Sequence, residues 1–121
     1  MKTPSKRLAV VALPMLVAVG SVCHAIASGS GTVSYIGGNF QNPNYPSSVY
    51  FGITPAPINR ESCNNNAYYQ FVFDPNTADG KTLYATLMLA ISTGRQIYIY
   101  GTGTCVLGQP MEGVSFWSML P

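Results

Sequence analysis

Residues 1–27 read as a removable leader, and this decides which part of the chain has to fold and in what compartment. Lys2, Lys6 and Arg7 form a basic start. Residues 8–19 form an apolar run broken only by Pro14, and Ala25-Ile26-Ala27 supplies the small residues that a signal peptidase accepts. The apolar run is about a dozen residues long, whereas a spanning helix needs roughly 20. The pattern predicts an exported protein, periplasmic or secreted, with no membrane span once the leader is gone. Cleavage is expected after Ala27, with cleavage after Ala25 as the near alternative. Cys23 lies close to the end of the apolar run, but Val22 precedes it where a lipid-attachment motif has a small residue such as Gly or Ala. Cys23 is therefore expected to leave with the leader.

Removal of the leader reverses the charge balance. The whole chain carries a formal +2 charge, but Arg60, Lys81 and Arg95 are the only basic residues beyond position 27. They face Glu61, Asp74, Asp79 and Glu112, a net charge of −1. So few cations give no electrostatic footprint for nucleic acid or anionic lipid. Residues 28–121 suffice for one domain and are too few for two. A core of that size is modest, and a disulfide is a common supplement in an oxidising compartment. Cys63 and Cys105 are the two cysteines left, so only one pairing is possible. The loop it closes is long enough for loop entropy to contribute about 4 kcal/mol. The only histidine, His24, leaves with the leader. With no histidine and no third thiol, neither a metal site nor a cofactor is expected.

Hydrophobic periodicity predicts a mainly β chain with one helix. Residues 28–31 are expected to be a flexible start. Strands are expected at 32–36, 49–54, 67–73, 96–100 and 114–119, the last carrying the only tryptophan, Trp117. Val49, Phe51 and Ile53 alternate with Tyr50, and Ile97 and Ile99 alternate with Tyr98 and Tyr100. Tyr69, Phe71 and Phe73 alternate in the same way with Tyr68, Gln70 and Val72. Pro55 and Pro57 end the second strand. The 39–46 loop is rich in Asn and Pro, and its Phe40 and Tyr45 are expected to pack as satellites of the core. Between the third and fourth strands, residues 80–93 carry Leu83, Leu87, Ala90 and Ile91 on one helical stripe, widened by Tyr84 and Met88. Asp79 is the expected N-cap, and Gly94 the expected stop, where a positive φ is needed. The order β-β-β-α-β-β fits a small Greek-key barrel of the oligomer-binding kind, closed by one disulfide.

Catalytic constellations are scarce, and no enzymatic activity is expected. Loss of the histidine removes Ser-His-Asp and Cys-His sites. Asp74 and Asp79 flank the helix start, where turns and caps explain them. No spacing rule pairs Glu61 with Glu112 as a glycosidase dyad. Gly101-Thr102-Gly103 lacks the third glycine of a dinucleotide fingerprint, since position 106 is Val106. It reads instead as strand-end turn glycines.

The aromatics are the remaining signal. Eight tyrosines, five phenylalanines and Trp117 dominate a domain with little charge. Tyr50, Tyr68, Tyr98 and Tyr100 fall on strand faces opposite the inward-facing residues. Tyrosine suits any half-wet strand face. Its amphipathic ring also lines sugar-binding grooves and subunit interfaces. A surface rich in Tyr and Asn suits neutral polar ligands such as glycans.

The stretch from Gly80 to Cys105, GKTLYATLMLAISTGRQIYIYGTGTC, resembles a family of small secreted proteobacterial proteins. More distantly it looks like the B subunits of the subtilase cytotoxin and typhoid toxin type. There too a helix ending in a Thr-Gly turn leads into a strand of pattern Val/Ile-x-Ile-Tyr. Tyr50-Phe51-Gly52-Ile53 is similar to a Tyr-Phe-Cys-Ile strand of those subunits, with Gly52 in place of the cysteine, so the disulfide arrangement must differ. The resemblance implies an oligomer-binding barrel, a ring pentamer and a cell-surface sialoglycan as ligand. Ser30-Gly31-Thr32-Val33 is similar to a Ser-Gly-Val-Val segment whose serine contacts the sugar, so the resemblance implies a binding role for Ser30. Its partners would be a glycan and further copies of itself. A second expectation of a different class is an envelope module that contacts another protein, as inhibitor or structural partner, with no sugar site.

Overall fold

The computed structural model describes residues 24–40 and 42–121. The basic start, the apolar run and Cys23 lie outside the described residues. The elements run β1 (Ser28–Asn39), β2 (Ser48–Thr54), β3 (Phe71–Phe73), α1 (Ala78–Thr93), β4 (Ile97–Cys105) and β5 (Glu112–Met119), in the expected order. Their neighbours in the sheet follow β1-β2-β3-β5-β4, and β4 pairs back onto β1, so the five strands close into a ring. The sheet is mixed: β3 and β5 run parallel, and the other pairs are antiparallel.

Alternation explains the interior. Val49, Phe51 and Ile53 of β2 and Ile97 and Ile99 of β4 all point inward and are buried. Phe51 stacks on Phe71 with ring centroids 5.5 Å apart, and Phe73 meets Phe51 edge-on at 6.1 Å. Burying each such side chain contributes about 1.5–3 kcal/mol. The helix adds Leu83, Leu87 and Ala90 to this cluster and packs against β1 and β5. Cys63 and Cys105 are bonded across a sequence separation of 42, as expected from their number, and tie the loop before β3 to the end of β4.

Several boundaries differ from the sequence expectation. Residues 28–31 are the first part of β1 rather than a flexible start. Ser28, Gly29, Ser30 and Gly31 pair in register with Tyr100, Ile99, Tyr98 and Ile97. Gly31 lets the strand lie close against β2 at the same point, because a Cβ there would stand 2.5 Å from the Thr54 carbonyl oxygen. The third strand is shorter than 67–73. The Asn66 Oδ1 accepts from the backbone N–H of both Tyr68 and Tyr69, which turns that stretch out of the ladder. In what remains, Phe71 and Phe73 join the core cluster as the alternation predicts, while Val72 between them lies outside that cluster and is also buried. The segment from Gly101 to Cys105 does not leave the fourth strand. It continues β4 with an irregular register against β5.

The helix begins earlier than residue 80. Its N-cap is Thr77, not Asp79: the Thr77 Oγ1 accepts from the Gly80 N–H at 2.9 Å, leaving Asp79 as an acid in the first turn. Gly94 ends it with φ 67°, as expected. The buried stripe is narrow, consisting of Gly80, Leu83, Leu87 and Ala90. Tyr84, Met88 and Ile91 lie on its flank and are exposed, and so are Phe40 and Tyr45 in the loop between β1 and β2.

Candidate functional site

The register of β1, β4 and β5 gathers one aromatic strip on the outside of the ring. Ile97 and Ile99 point inward, so Tyr98 and Tyr100 point outward. Ser30 stands directly opposite Tyr98, and Ser28 opposite Tyr100. On the other side Tyr98 pairs with Ser118 and Tyr100 with Phe116. The Tyr98 and Phe116 rings lie 6.2 Å apart between centroids. Ser30, Tyr100 and Phe116 are exposed, and Tyr98 is half-buried between them.

At the end of this strip lies a cleft of about 480 Å3 with mixed polar and apolar walls, formed by His24, Ala25 and Ile26 of the expected leader and by Ser28, Asn59 and Tyr100. The Ser28–Ile58 bridge positions Asn59 there: Ser28 N–H donates to the Ile58 carbonyl at 3.1 Å and Ile58 N–H returns a bond to Ser28 at 3.0 Å. An aromatic ring beside hydroxyl and amide groups offers both an apolar plate and hydrogen-bonding partners.

Tyr50 and Tyr68 lie elsewhere. They belong to a second group on β1, β2 and the loop before β3. Tyr35 meets Tyr68 at 5.1 Å and Tyr69 at 6.0 Å, and Tyr69 meets Tyr50 at 4.7 Å, each edge to face. Tyr68 remains 57% exposed at its outer edge. Of the five residues singled out in the sequence, Ser30, Tyr98 and Tyr100 share one strip, and Tyr50 and Tyr68 share another cluster. Phe116 and Asn59 were not singled out. The alternation of Phe116 and Ser118 with Trp117 and Met119 carried a signal for Phe116. Nothing local in the sequence marks Asn59, because a long-range bridge positions it.

The acids do not converge. Glu112 is fully buried, and its side-chain oxygens accept three hydrogen bonds. Oε1 takes the N–H of Ala27 at 3.1 Å and of Gly103 at 2.9 Å, and Oε2 takes the Asn64 Nδ2 at 2.9 Å. Glu61 faces His24 at 3.6 Å. Asp74 accepts from the Asn76 N–H in a turn. Among the described residues no group of three His, Cys, Asp or Glu could hold a metal ion, and no helix is long and apolar enough to cross a membrane.

A further cleft of about 290 Å3 lies between the start of α1 and the β4–β5 connection. Its walls are largely apolar, with Leu83, Val106, Val114 and Trp117 among them, and Asp79 and Thr77 also line it. Compared with family models, with curated proteins and with solved structures, the chain finds no match in any of the three.

Proposed function

We propose that the chain is an exported oligomer-binding barrel whose outer β1–β4–β5 face binds a cell-surface glycan. The barrel reading is supported by the closed strand order, the parallel β3–β5 pair and the helix between β3 and β4. The observation that carries the binding reading is the strip of Ser30, Tyr98, Tyr100 and Phe116, with Ser28 and Asn59 at its end. Sugars present apolar C–H faces and many hydroxyls. Tyr100 and Phe116 supply flat apolar surface, while Ser28, Ser30 and Asn59 supply neutral donors and acceptors. No ionised side chain lies in the strip itself, which suits a ligand recognised by stacking and neutral hydrogen bonds.

The resemblance to the toxin B subunits agrees with this reading at Ser30 and extends it to a ring of copies. A glycan array probed with the oxidised, processed protein tests it. The expected result is selective binding that Ser30→Ala and Tyr100→Ala both weaken. A blank array with correctly oxidised protein contradicts it.

A second reading is favoured by one observation. The outward side of α1 exposes Tyr84, Met88, Leu89 and Ile91, with Phe40 exposed in the loop before β2. Soluble monomers seldom leave large apolar patches open. On this reading the protein is a module that docks another envelope protein through α1 and has no sugar site. Recovery of one stoichiometric protein partner by a monomeric chain, with no glycan retained, would favour it.

A further inference from the structure

The two small-residue cleavage positions in the leader, Ala25 and Ala27, have very different places in the fold. Ala27 is 0% exposed and belongs to the hydrophobic core. Its N–H donates to the buried Glu112 Oε1 at 3.1 Å, and its carbonyl accepts from the Gly101 N–H at 2.8 Å. Ile26 packs beside Gly103, where a Cβ would come within 3.1 Å of the Ile26 Cγ1. The Ala25 carbonyl also comes within 3.2 Å of a Cβ at Gly103, but Ala25, unlike Ala27, is not part of the core, and with His24 and Ile26 it lines the cleft that holds Ser28, Asn59 and Tyr100.

We infer that export processing cuts the Ala25–Ile26 bond, so that the mature chain begins at Ile26 and keeps Ala27 as part of its core. The inference rests on the reading of the chain as exported. The step is a peptide hydrolysis by a signal peptidase. Water breaks the Ala25–Ile26 C–N bond, its oxygen becomes part of the new Ala25 carboxylate, and the Ile26 nitrogen becomes an ammonium. The peptidase meets the chain before it folds, so burial does not protect either bond. What differs is the product. A chain beginning at Ser28 lacks the Ala27 methyl in the core, one of the donors to the buried Glu112, and the acceptor of the Gly101 N–H. The new Ser28 ammonium does not replace that donor, because the Ser28 nitrogen is directed to the Ile58 carbonyl. Cleavage after Ala25 preserves all three and also removes two walls of the Tyr100 cleft, opening it to a ligand.

The test is intact mass and N-terminal sequencing of the full chain after expression in an exporting host. A mature protein beginning at Ile26 is expected. One beginning at Ser28 overturns the inference while leaving the export reading intact. A protein that keeps residues 1–25 contradicts export and overturns the inference with it. As a second measurement, oxidised chains beginning at Ile26 and at Ser28 are melted side by side. The chain from Ser28 is expected to melt lower by at least ~5 °C, on the scale of small domains. Equal midpoints would remove the structural reason for the choice and overturn the inference as well.

Discussion

Glu112 is buried among backbone donors from two distant segments, Ala27 and Gly103, and holds Asn64 with its second oxygen. Leaving a buried donor unpaired costs ~1–3 kcal/mol, and Glu112→Ala strands three. We expect Glu112→Ala to lose several kcal/mol, a large share of a small domain's stability. Glu112→Gln should lose less, because one oxygen still serves the two N–H groups while its NH2 faces the Asn64 Nδ2. Denaturant unfolding of the three proteins checks the order, and a Glu112→Ala protein as stable as the parent would contradict it. Gly52 gives a second expectation. A Cβ there would lie 1.8 Å from the Tyr68 carbonyl oxygen, so Gly52→Ala must displace the loop before β3. A fall in thermal midpoint well beyond that of Gly108→Ala is expected, since Gly108 has open space around it and its substitution meets only the strain of a positive φ of 66°. Neither residue's role was legible in the sequence. The strand alternation marked Val49, Phe51, Ile53, Ile97 and Ile99 as core, because inward position follows from period two. Glu112 and Gly52 answer to contacts far away in the chain, and no local pattern encodes those.

Among the elements, the helix and the strands with strong alternation were readable, and so were the ends at Thr54, Phe73, Thr93 and Met119, but their starts were not. The α1 stripe identified Leu83, Leu87 and Ala90, yet the cap belongs to Thr77, since Asp79 and Thr77 both suit the role and only the backbone decides between them. The stretch 67–69 looks like strand by composition but is turned by a single Asn66 side chain. Residues 28–31 look like a loose start because two are glycines, and those glycines are what let β1 pass close to β2 and pair with β4. The disulfide was readable by elimination. It spans 42 residues between the loop before β3 and the end of β4, a loop whose closure contributes about 4 kcal/mol. Cys63→Ser together with Cys105→Ser should therefore lower unfolding stability by roughly that amount. An unchanged denaturation midpoint would show that the bond contributes nothing to the fold.

For the whole molecule, the strand order and the closing pair between β4 and β1 bring Ser30, Tyr98, Tyr100 and Phe116 together although they come from three strands. The sequence could nominate Ser30, Tyr98 and Tyr100 one by one. Which of the five nominated residues are neighbours depends on register, and that separates Tyr50 and Tyr68 from them. The exposed apolar side of α1 makes a statement about assembly. Light scattering of the oxidised protein should give a mass several times that of one chain, near five if the toxin-subunit resemblance holds. A clean monomer would assign the helix face to a different protein.

The most direct test of glycan recognition by the outer face is a titration of a glycan selected from the array into the parent protein and into a Tyr98→Ala, Tyr100→Ala double variant. Saturable binding by the parent is expected, at least tenfold weaker in the variant, with thermal midpoints within a few degrees of each other because neither ring belongs to the core. Equal affinity in the two proteins, or no binding to any glycan, would contradict it.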